Sequence, residues 1–451
     1  MSINTTHTRN LHRTNTTPAS FAVKTPKVNS QIAIVGLGYV GLPLALLAEK
    51  RGYGVVGFDT DENKIAALLK KHINFLNEEE NKVLEKSLMK SATSPDILKD
   101  VDAYIICVPT PVDHDYNPDL TPLIGAAFSV GKVLKKGAIV VIESTVNPGV
   151  CEEIVLPILE EESGLKAEKD FYFAHCPERI NPGDARWSVR TIPRVMGASG
   201  PKSLSHATAL YSSIIDGEIF PMGSIKEAEA VKMVENTFRD INIAFVDELA
   251  MSFAKTGIDV VNVIKGASTK PFAFMAHYPG CGVGGHCIPV DPYYLIQYGR
   301  ENGFDHKFLQ TARDINNNMP KYTVGLLEEA LQEKNMSLGG ATIALLGLAY
   351  KKNIPDLRES PALAIRDELV KRGATVQSFD PNVLEHSSVK SLEEALTGAG
   401  GAIIATDHSL FCSLEPQAFL KHGVSVVVDG RNCLPKSQFI EAGITYRGIG
   451  R

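Results

Sequence analysis

The run QIAIVGLGYVGLPLALLAEK, Gln31 to Lys50, constrains the chain more than any other stretch. Its IAIV segment has no polar residue, as expected of a strand buried on both faces of a parallel sheet. It passes straight into Gly36-x-Gly38-x-x-Gly41 and then into an apolar helix. The next strand, VVGF, ends in Asp59, at about the 20-residue spacing where a dinucleotide fold carries its acidic residue. Glycines in such a turn let the backbone close tightly and bring helix N-terminal amides to a pyrophosphate, while Asp59 accepts hydrogen bonds from ribose hydroxyls. With no arginine directly beside Asp59, the reading favours NAD over NADP. A Gly-rich turn that serves only tight strand–helix packing is the plainer alternative.

The layout recurs. TIALLGLAYKKN repeats the strand and turn, VQSFDP ends a strand in Asp380, and AIIATDH and VSVVVDGRN parallel AYIICVPTP and AIVVIESTVNPG. The fold class expected is α/β, with two Rossmann-like doubly wound domains joined by a central helical domain. The second turn has Ala349 and lysines where the other glycines should stand, so a second NAD site is not expected. Lys351 and Arg358 instead offer positive charge at a strand end, suited to a phosphate-bearing ligand or to a solvated basic turn. Ser360 and Pro361 read as the start of a helix. Between the units, Ser224 and Glu227 form a capping box. The helix that follows carries Val231, Val234, Phe238, Ile241, Phe245, Leu249 and Phe253 as one apolar stripe and stops at Gly257. The boundaries expected are a disordered leader at 1–30, an NAD-binding domain at 31–222, a central helical domain at 223–330 and a C-terminal domain at 331–451.

A chain of 451 residues exceeds one hydrophobic core, and its net charge of −6 gives no basic field for nucleic acid or anionic lipid. The seven cysteines form no CxxC pair, and no apolar run approaches a membrane span. The expectation is therefore a cytoplasmic protein that holds no metal and binds neither nucleic acid nor membrane.

The chemistry concentrates in GCGVGGHCIPVDP, Gly280 to Pro292. A thiolate is a good nucleophile toward a carbonyl, and a nicotinamide accepts hydride. Together they suggest oxidation of an alcohol to an acid through an aldehyde, a thiohemiacetal and a thioester. Cys281 and Cys287 both qualify; Cys287, directly after Gly284, Gly285 and His286 and sharing its loop with Asp291, is preferred over a merely buried small cysteine. Lys232, Asn236 and Arg239 share one helix face, as acid/base, amide donor and substrate anchor or as a solvated polar face.

From Gln31 onward the chain resembles the UDP-glucose/GDP-mannose dehydrogenase family, through GLGYVGLPLA, CVPTP, ESTVNPG, CPERINPGD, KMVENTFRDINIAF, GVGGHCIPVDPYYL, GLAYKKNIPDLRESPAL and VVVDGRN. The resemblance implies an NAD-binding domain, a dimer-forming helical domain and a UDP-binding domain. It makes Cys287 the nucleophile, Lys232 the acid/base, Asn236 the oxyanion donor and Asp291 a group that activates water or positions the lysine. Glu178 matches a carboxylate linked to thioester hydrolysis. Tyr39, Val40, Thr110, Thr145 and Arg358 join Gly36, Gly38, Gly41 and Asp59 at the cofactor. Arg179, Ile180, Arg239, Lys270, Gly284, Tyr350, Lys351 and Arg431 fall at the substrate.

UDP-glucose enzymes of the family have Ser and Lys where this chain has His286 and Val290, and a second Glu where it has Pro182. PERINPG and GGHCI instead resemble the branch acting on UDP-N-acetylhexosamines. The stretch STKPFAFM, Ser268 to Met275, points within that branch to UDP-N-acetylglucosamine, with the mannosamine or galactosamine sugar as the alternative. The activity expected is four-electron oxidation at C6 by a homodimer or larger homo-oligomer that supplies a uronic acid for surface polysaccharide. A two-electron dehydrogenase resembling 6-phosphogluconate enzymes and a non-catalytic NAD-sensing module are the rival classes.

Overall fold

Three strands meet at the same level in the N-terminal sheet. β1 (Gln31–Val35) pairs in parallel with β2 (Gly54–Phe58) on one side and β4 (Ala103–Ile106) on the other, with Val35 opposite both Phe58 and Ile106. Gly36, Asp59 and Cys107 therefore leave the sheet along one edge. The computed structural model describes residues 30–113, 117–180 and 187–451. The expected leader, apart from Ser30, and Pro182 lie outside the described residues.

The sheet continues with β3 (Lys90–Ala92), β5 (Ile139–Ile142), β6 (Tyr172–His175), β7 (Arg194–Ala198) and β8 (Ile219–Pro221), in the order β3-β2-β1-β4-β5-β6-β7-β8. Only the β6–β7 pair is antiparallel. The order reverses between β1 and β4, which is where open α/β sheets bind their ligands. The apolar strands are explained by burial on both sides: Ile32 and Ile34 pack on one face, Ala33 and Val35 on the other. Each Ile or Val side chain removed from water stabilises the fold by about 1.5–3 kcal/mol.

The C-terminal sheet repeats the scheme in parallel strands β9 (Thr342–Leu346), β10 (Thr375–Phe379), β11 (Gly401–Ile404), β12 (Val426–Asp429) and β13 (Thr445–Gly448), ordered β10-β9-β11-β12-β13. Its Asp380 is fully buried and accepts from the Leu348 and Ala349 amides at 2.7 and 2.8 Å, with His408 Nε2 at 2.9 Å. That carboxylate is committed inside its own domain. Ser360 caps the following helix through the Ala362 amide, with Pro361 at the first helical position.

Between the sheets runs a helix of 30 residues, Ile225–Ala254, about 45 Å long at 1.5 Å per residue. Ser224 accepts from the Glu227 amide, but the Glu227 carboxylate turns to the Gly223 amide, so the box closes one residue early. The expected apolar stripe faces the core only at its C-terminal end, where Leu249 and Phe253 pack. Val234, Phe238 and Phe245 are 58%, 46% and 54% exposed, whereas Glu229, Lys232, Asn236, Asp240 and Asp247 are buried. Each buried acid meets a fixed donor from another element. Glu229 accepts from the Gly149 and Cys151 amides, Asp240 pairs with Arg313 and Asn316, and Asp247 accepts from the Gly280 amide. Arg313 and Asn316 belong to a second long helix, Lys307–Gln332, whose later turns pack against the C-terminal sheet. Among the described residues, no helix is long and apolar enough to cross a membrane.

Candidate active site

The turn after β1 has the shape a pyrophosphate needs. Gly36 sits at φ 94°, and a Cβ there would meet the Cys107 carbonyl oxygen at 2.7 Å. A Cβ at Gly41 would lie 1.9 Å from the Gly36 carbonyl oxygen, so that glycine lets the helix, with Tyr39 and Val40 leading into it, start against the turn. Gly38 has nothing within 4 Å of where a Cβ would stand, which leaves its backbone open to a ligand. Asp59 is held by the Leu37 amide at 2.8 Å and the Asp61 amide at 3.0 Å. Lys64 lies 2.7 Å from the same carboxylate, a partner that the spacing of glycines and acid did not reveal. Across the switch point, Thr110 Oγ1 donates to the Thr145 carbonyl at 2.6 Å, tying the turns after β4 and β5 together. These residues fit a dinucleotide.

Facing this turn is the cysteine loop. The Val290 and Asp291 amides both donate to the Cys287 carbonyl, at 3.1 and 2.9 Å, which fixes the thiol one turn ahead of the helix Asp291–Glu301. Asn236 Nδ2 donates to Asp291 Oδ2 at 2.5 Å, joining the long helix to the loop. Burial pushes the Cys287 thiol up to about 11, the Asp291 charge adds to this, and Lys232, Arg358 and Arg239 oppose it. Burial likewise raises Asp291 to about 6, against Lys232 and the Asn236 amide. Cys287, Lys232, Asn236 and Asp291 are thus one electrostatic unit. A protonated thiol beside a base is inert until that base takes its proton.

The loop also rests on the C-terminal domain. A Cβ at Gly284 or Gly285 would come within 2.7 Å of Tyr350, and the Gly285 amide donates to the Arg358 carbonyl at 3.0 Å. Arg358 pairs with Asp356 at 2.6 Å, and its guanidinium lies 5.7 Å from the Tyr39 ring centre, so it reaches across to the dinucleotide turn. His286 is exposed by area, yet crowding by neighbouring protein and then the Arg358 charge lower its imidazole to about 4. At neutral pH it is therefore uncharged. Arg431 Nη1 donates to the Gly282 carbonyl at 3.3 Å and its Nε to the Ala405 carbonyl at 2.9 Å, a second tie between loop and C-terminal sheet. Lys351 is half-buried, in the turn that follows β9.

Other expected site residues take different places. Arg239 is exposed on the long helix. Lys270 is exposed too, 4.8 Å over the Phe272 ring in the segment before the loop. Arg179 pairs with Glu235 of the long helix and donates to the Pro193 carbonyl at 3.0 Å. Ile180 packs against the N-terminal core and offers its amide to Glu178. Glu178 pairs with Arg194, whose other side faces Glu143, and Glu143 in turn accepts from the Tyr211 hydroxyl. Arg194, Glu143 and Tyr211 escaped sequence reading because nothing in a strand such as RVMGA marks its arginine as buried. Cys281, the other candidate thiol, is fully buried and donates to the Ala405 carbonyl. Among the described residues, no group of three or more His, Cys, Asp or Glu is placed to hold a metal ion.

A dinucleotide turn faced by a thiol, an amine, an amide and a carboxylate defines an oxidoreductase that uses a nicotinamide cofactor. Three models of the UDP-glucose/GDP-mannose dehydrogenase family match in order: the NAD binding domain at residues 30–215, the central domain at 226–318 and the UDP binding domain at 344–436. The chain is 40% identical to the UDP-N-acetyl-D-glucosamine 6-dehydrogenase of Pseudomonas aeruginosa, over 87% of this chain and 94% of that protein. It is 38% identical to the UDP-N-acetyl-D-mannosamine dehydrogenase of Pyrococcus horikoshii, over 93% and 99%. The structure of UDP-D-ManNAc dehydrogenase from Pyrococcus horikoshii superposes with a TM-score of 0.88 over 93% of this chain and 99% of that one, at 38% identity. The chain belongs to the UDP-glucose/GDP-mannose dehydrogenase family and is an NAD-dependent oxidoreductase.

Proposed function

We propose that this protein oxidises the C6 alcohol of a UDP-N-acetylhexosamine to the carboxylate, with UDP-N-acetylglucosamine as the substrate. The observation that carries the reading is the Cys287–Lys232–Asn236–Asp291 unit, set between the dinucleotide turn and the domain whose family model is UDP-binding. The relative that is 40% identical bears the glucosamine name. The relative matched over 93% of this chain bears the mannosamine name, and that sugar is the second reading.

Gly36, Gly38, Tyr39, Val40, Gly41, Asp59, Thr110, Thr145 and Arg358 would hold NAD, which would supply the hydride acceptor for both oxidations at C6. Lys232 takes the proton of the C6 hydroxyl. Asn236 donates its amide to the oxygen where negative charge develops. Cys287 adds through Sγ to the aldehyde carbon as its proton passes to the neighbouring base, Lys232 or Asp291. In the last step water adds to the thioester carbon, the C–S bond breaks, and Sγ regains a proton as the acid leaves. Glu178 serves that hydrolysis. Tyr350, Lys351, Arg431, Arg179, Ile180, Arg239, Gly284 and Lys270 make up the sugar-nucleotide pocket. The exposed stripe Val234, Phe238 and Phe245 forms the contact with a second copy.

The test is a panel of UDP-N-acetylglucosamine, UDP-N-acetylmannosamine, UDP-N-acetylgalactosamine and UDP-glucose with NAD, followed by NADH absorbance. The highest kcat/KM is expected for UDP-N-acetylglucosamine. A preference for the mannosamine sugar selects the second reading, and a preference for UDP-glucose overturns both.

A further inference from the structure

Arg194 lies on β7 with no exposed area, between two carboxylates. Its Nη2 is 2.6 Å from Glu178 Oε2 and its Nη1 is 3.6 Å from Glu143 Oε1. Tyr211, also fully buried, donates its hydroxyl to Glu143 Oε1 at 2.7 Å, and the Cys107 thiol lies 3.7 Å from Glu143 Oε2. The other oxygen of Glu178, Oε1, accepts the Arg179 and Ile180 amides, both at 2.6 Å. Cys107 is the residue whose carbonyl underlies Gly36, so the cluster lies directly beneath the dinucleotide turn.

A fold gains little from such an arrangement. Desolvating a guanidinium and two carboxylates costs several kcal/mol per ion, and apolar residues of similar volume often hold a core as well or better. The Arg194 nitrogens contact the acids without the alignment of hydrogen bonds, so among the described residues their N–H groups lack hydrogen-bond acceptors. What the arrangement does secure is one orientation for the Glu178 carboxylate: Oε1 is locked by two amides and Oε2 by a cation that is itself braced from behind.

We propose that Arg194 is a positioning residue for the hydrolysis step, fixing the carboxylate of Glu178 beneath the cofactor turn, with Glu143 and Tyr211 bracing the guanidinium. The inference rests on the reading above that Glu178 serves thioester hydrolysis. Burial raises the Glu143 carboxyl, and the Arg194 guanidinium opposes that rise.

The test compares full-length Arg194→Met, Arg194→Lys and Tyr211→Phe with Glu178→Gln, each mixed with NAD and saturating UDP-N-acetylglucosamine. Arg194→Met is expected to give the same profile as Glu178→Gln. That profile is a full burst of NADH, a steady state slower by about 10- to 100-fold, the range for a displaced catalytic group, and an acyl adduct on Cys287 in the mass of the quenched protein. Arg194→Lys, which keeps the charge, is expected to recover part of the loss. Should Arg194→Met fail to fold, Tyr211→Phe carries the test, with a smaller slowing and the same adduct. An Arg194 or Tyr211 variant that turns over like the parent, or that slows the burst and leaves no adduct where Glu178→Gln leaves one, overturns the inference. The adduct in Glu178→Gln itself judges the hydrolysis reading separately.

Discussion

At the scale of single residues, the chemistry turns on Asp291. Its carboxyl sits at about 6, above the usual 3.8, because burial penalises the charge more than Lys232 and Asn236 reward it. The sign follows. Between about pH 4 and pH 6 the folded chain holds a proton that the unfolded chain has lost, so this group's contribution to stability falls as pH rises through that window. Asp291→Asn is expected to remove the penalty, gaining up to roughly 3 kcal/mol above pH 6 and nothing below pH 4, while turnover is lost. The Asp291 charge also holds the Cys287 thiol up, so in the variant the pH midpoint of thiol alkylation should move down. Urea melts at pH 4 and pH 7.5, with iodoacetamide rates across pH, check both; equal stability gains at the two pH values would refute the assignment. Cys287, with Asp291 in its loop, was legible as a glycine-framed thiol, whereas only the family resemblance set Lys232 and Asn236 apart from a solvated polar face. Lys64, Glu143, Arg194 and Tyr211 were not legible, because their roles exist only once distant strands are paired.

At the scale of elements, the long helix shows where periodicity misleads. Apolar residues at helical spacing mark one face, and the usual inference is that this face is the core. Here the buried face mixes small and apolar residues with polar ones, because Glu229, Asp240 and Asp247 each find a donor, and Asn236 an acceptor, on a different element. The sequence carries the stripe; which side the neighbours occupy is a tertiary fact. The helix is therefore held by specific polar partners, and one of them is Arg313, nearly fully buried against Asp240. Asp240→Ala strands that guanidinium and is expected to destabilise the chain by about 3–5 kcal/mol. A loss below about 1 kcal/mol in chemical denaturation would show that the pair does not hold the two helices. By contrast, the central strands of both Rossmann-like sheets were readable in advance, with β1 and β9 running into Gly and β2 and β10 into Asp.

At the scale of the whole molecule, the long helix does two things with its two faces. The inner face carries Lys232 and Asn236 to the cysteine loop, and that loop is tied to the C-terminal sheet through Tyr350, Arg358 and Arg431. The outer face leaves Phe238 and Phe245 in the open, with the His277 ring edge-on to Phe238 at 6.1 Å. An aromatic patch of this kind fits a second copy. Phe238→Glu with Phe245→Glu is expected to shift the protein to monomer in sedimentation velocity. Unchanged oligomers in that variant would place the contact elsewhere.

Only an acid product, formed by two oxidations at one carbon, needs the Cys287 thiol. The direct measurement is NADH formed per sugar consumed, with limiting UDP-N-acetylglucosamine, excess NAD and the full-length protein. Two NADH and a C6 carboxylate are predicted. One NADH with an aldehyde or ketone product would rule out the thioester route through Cys287.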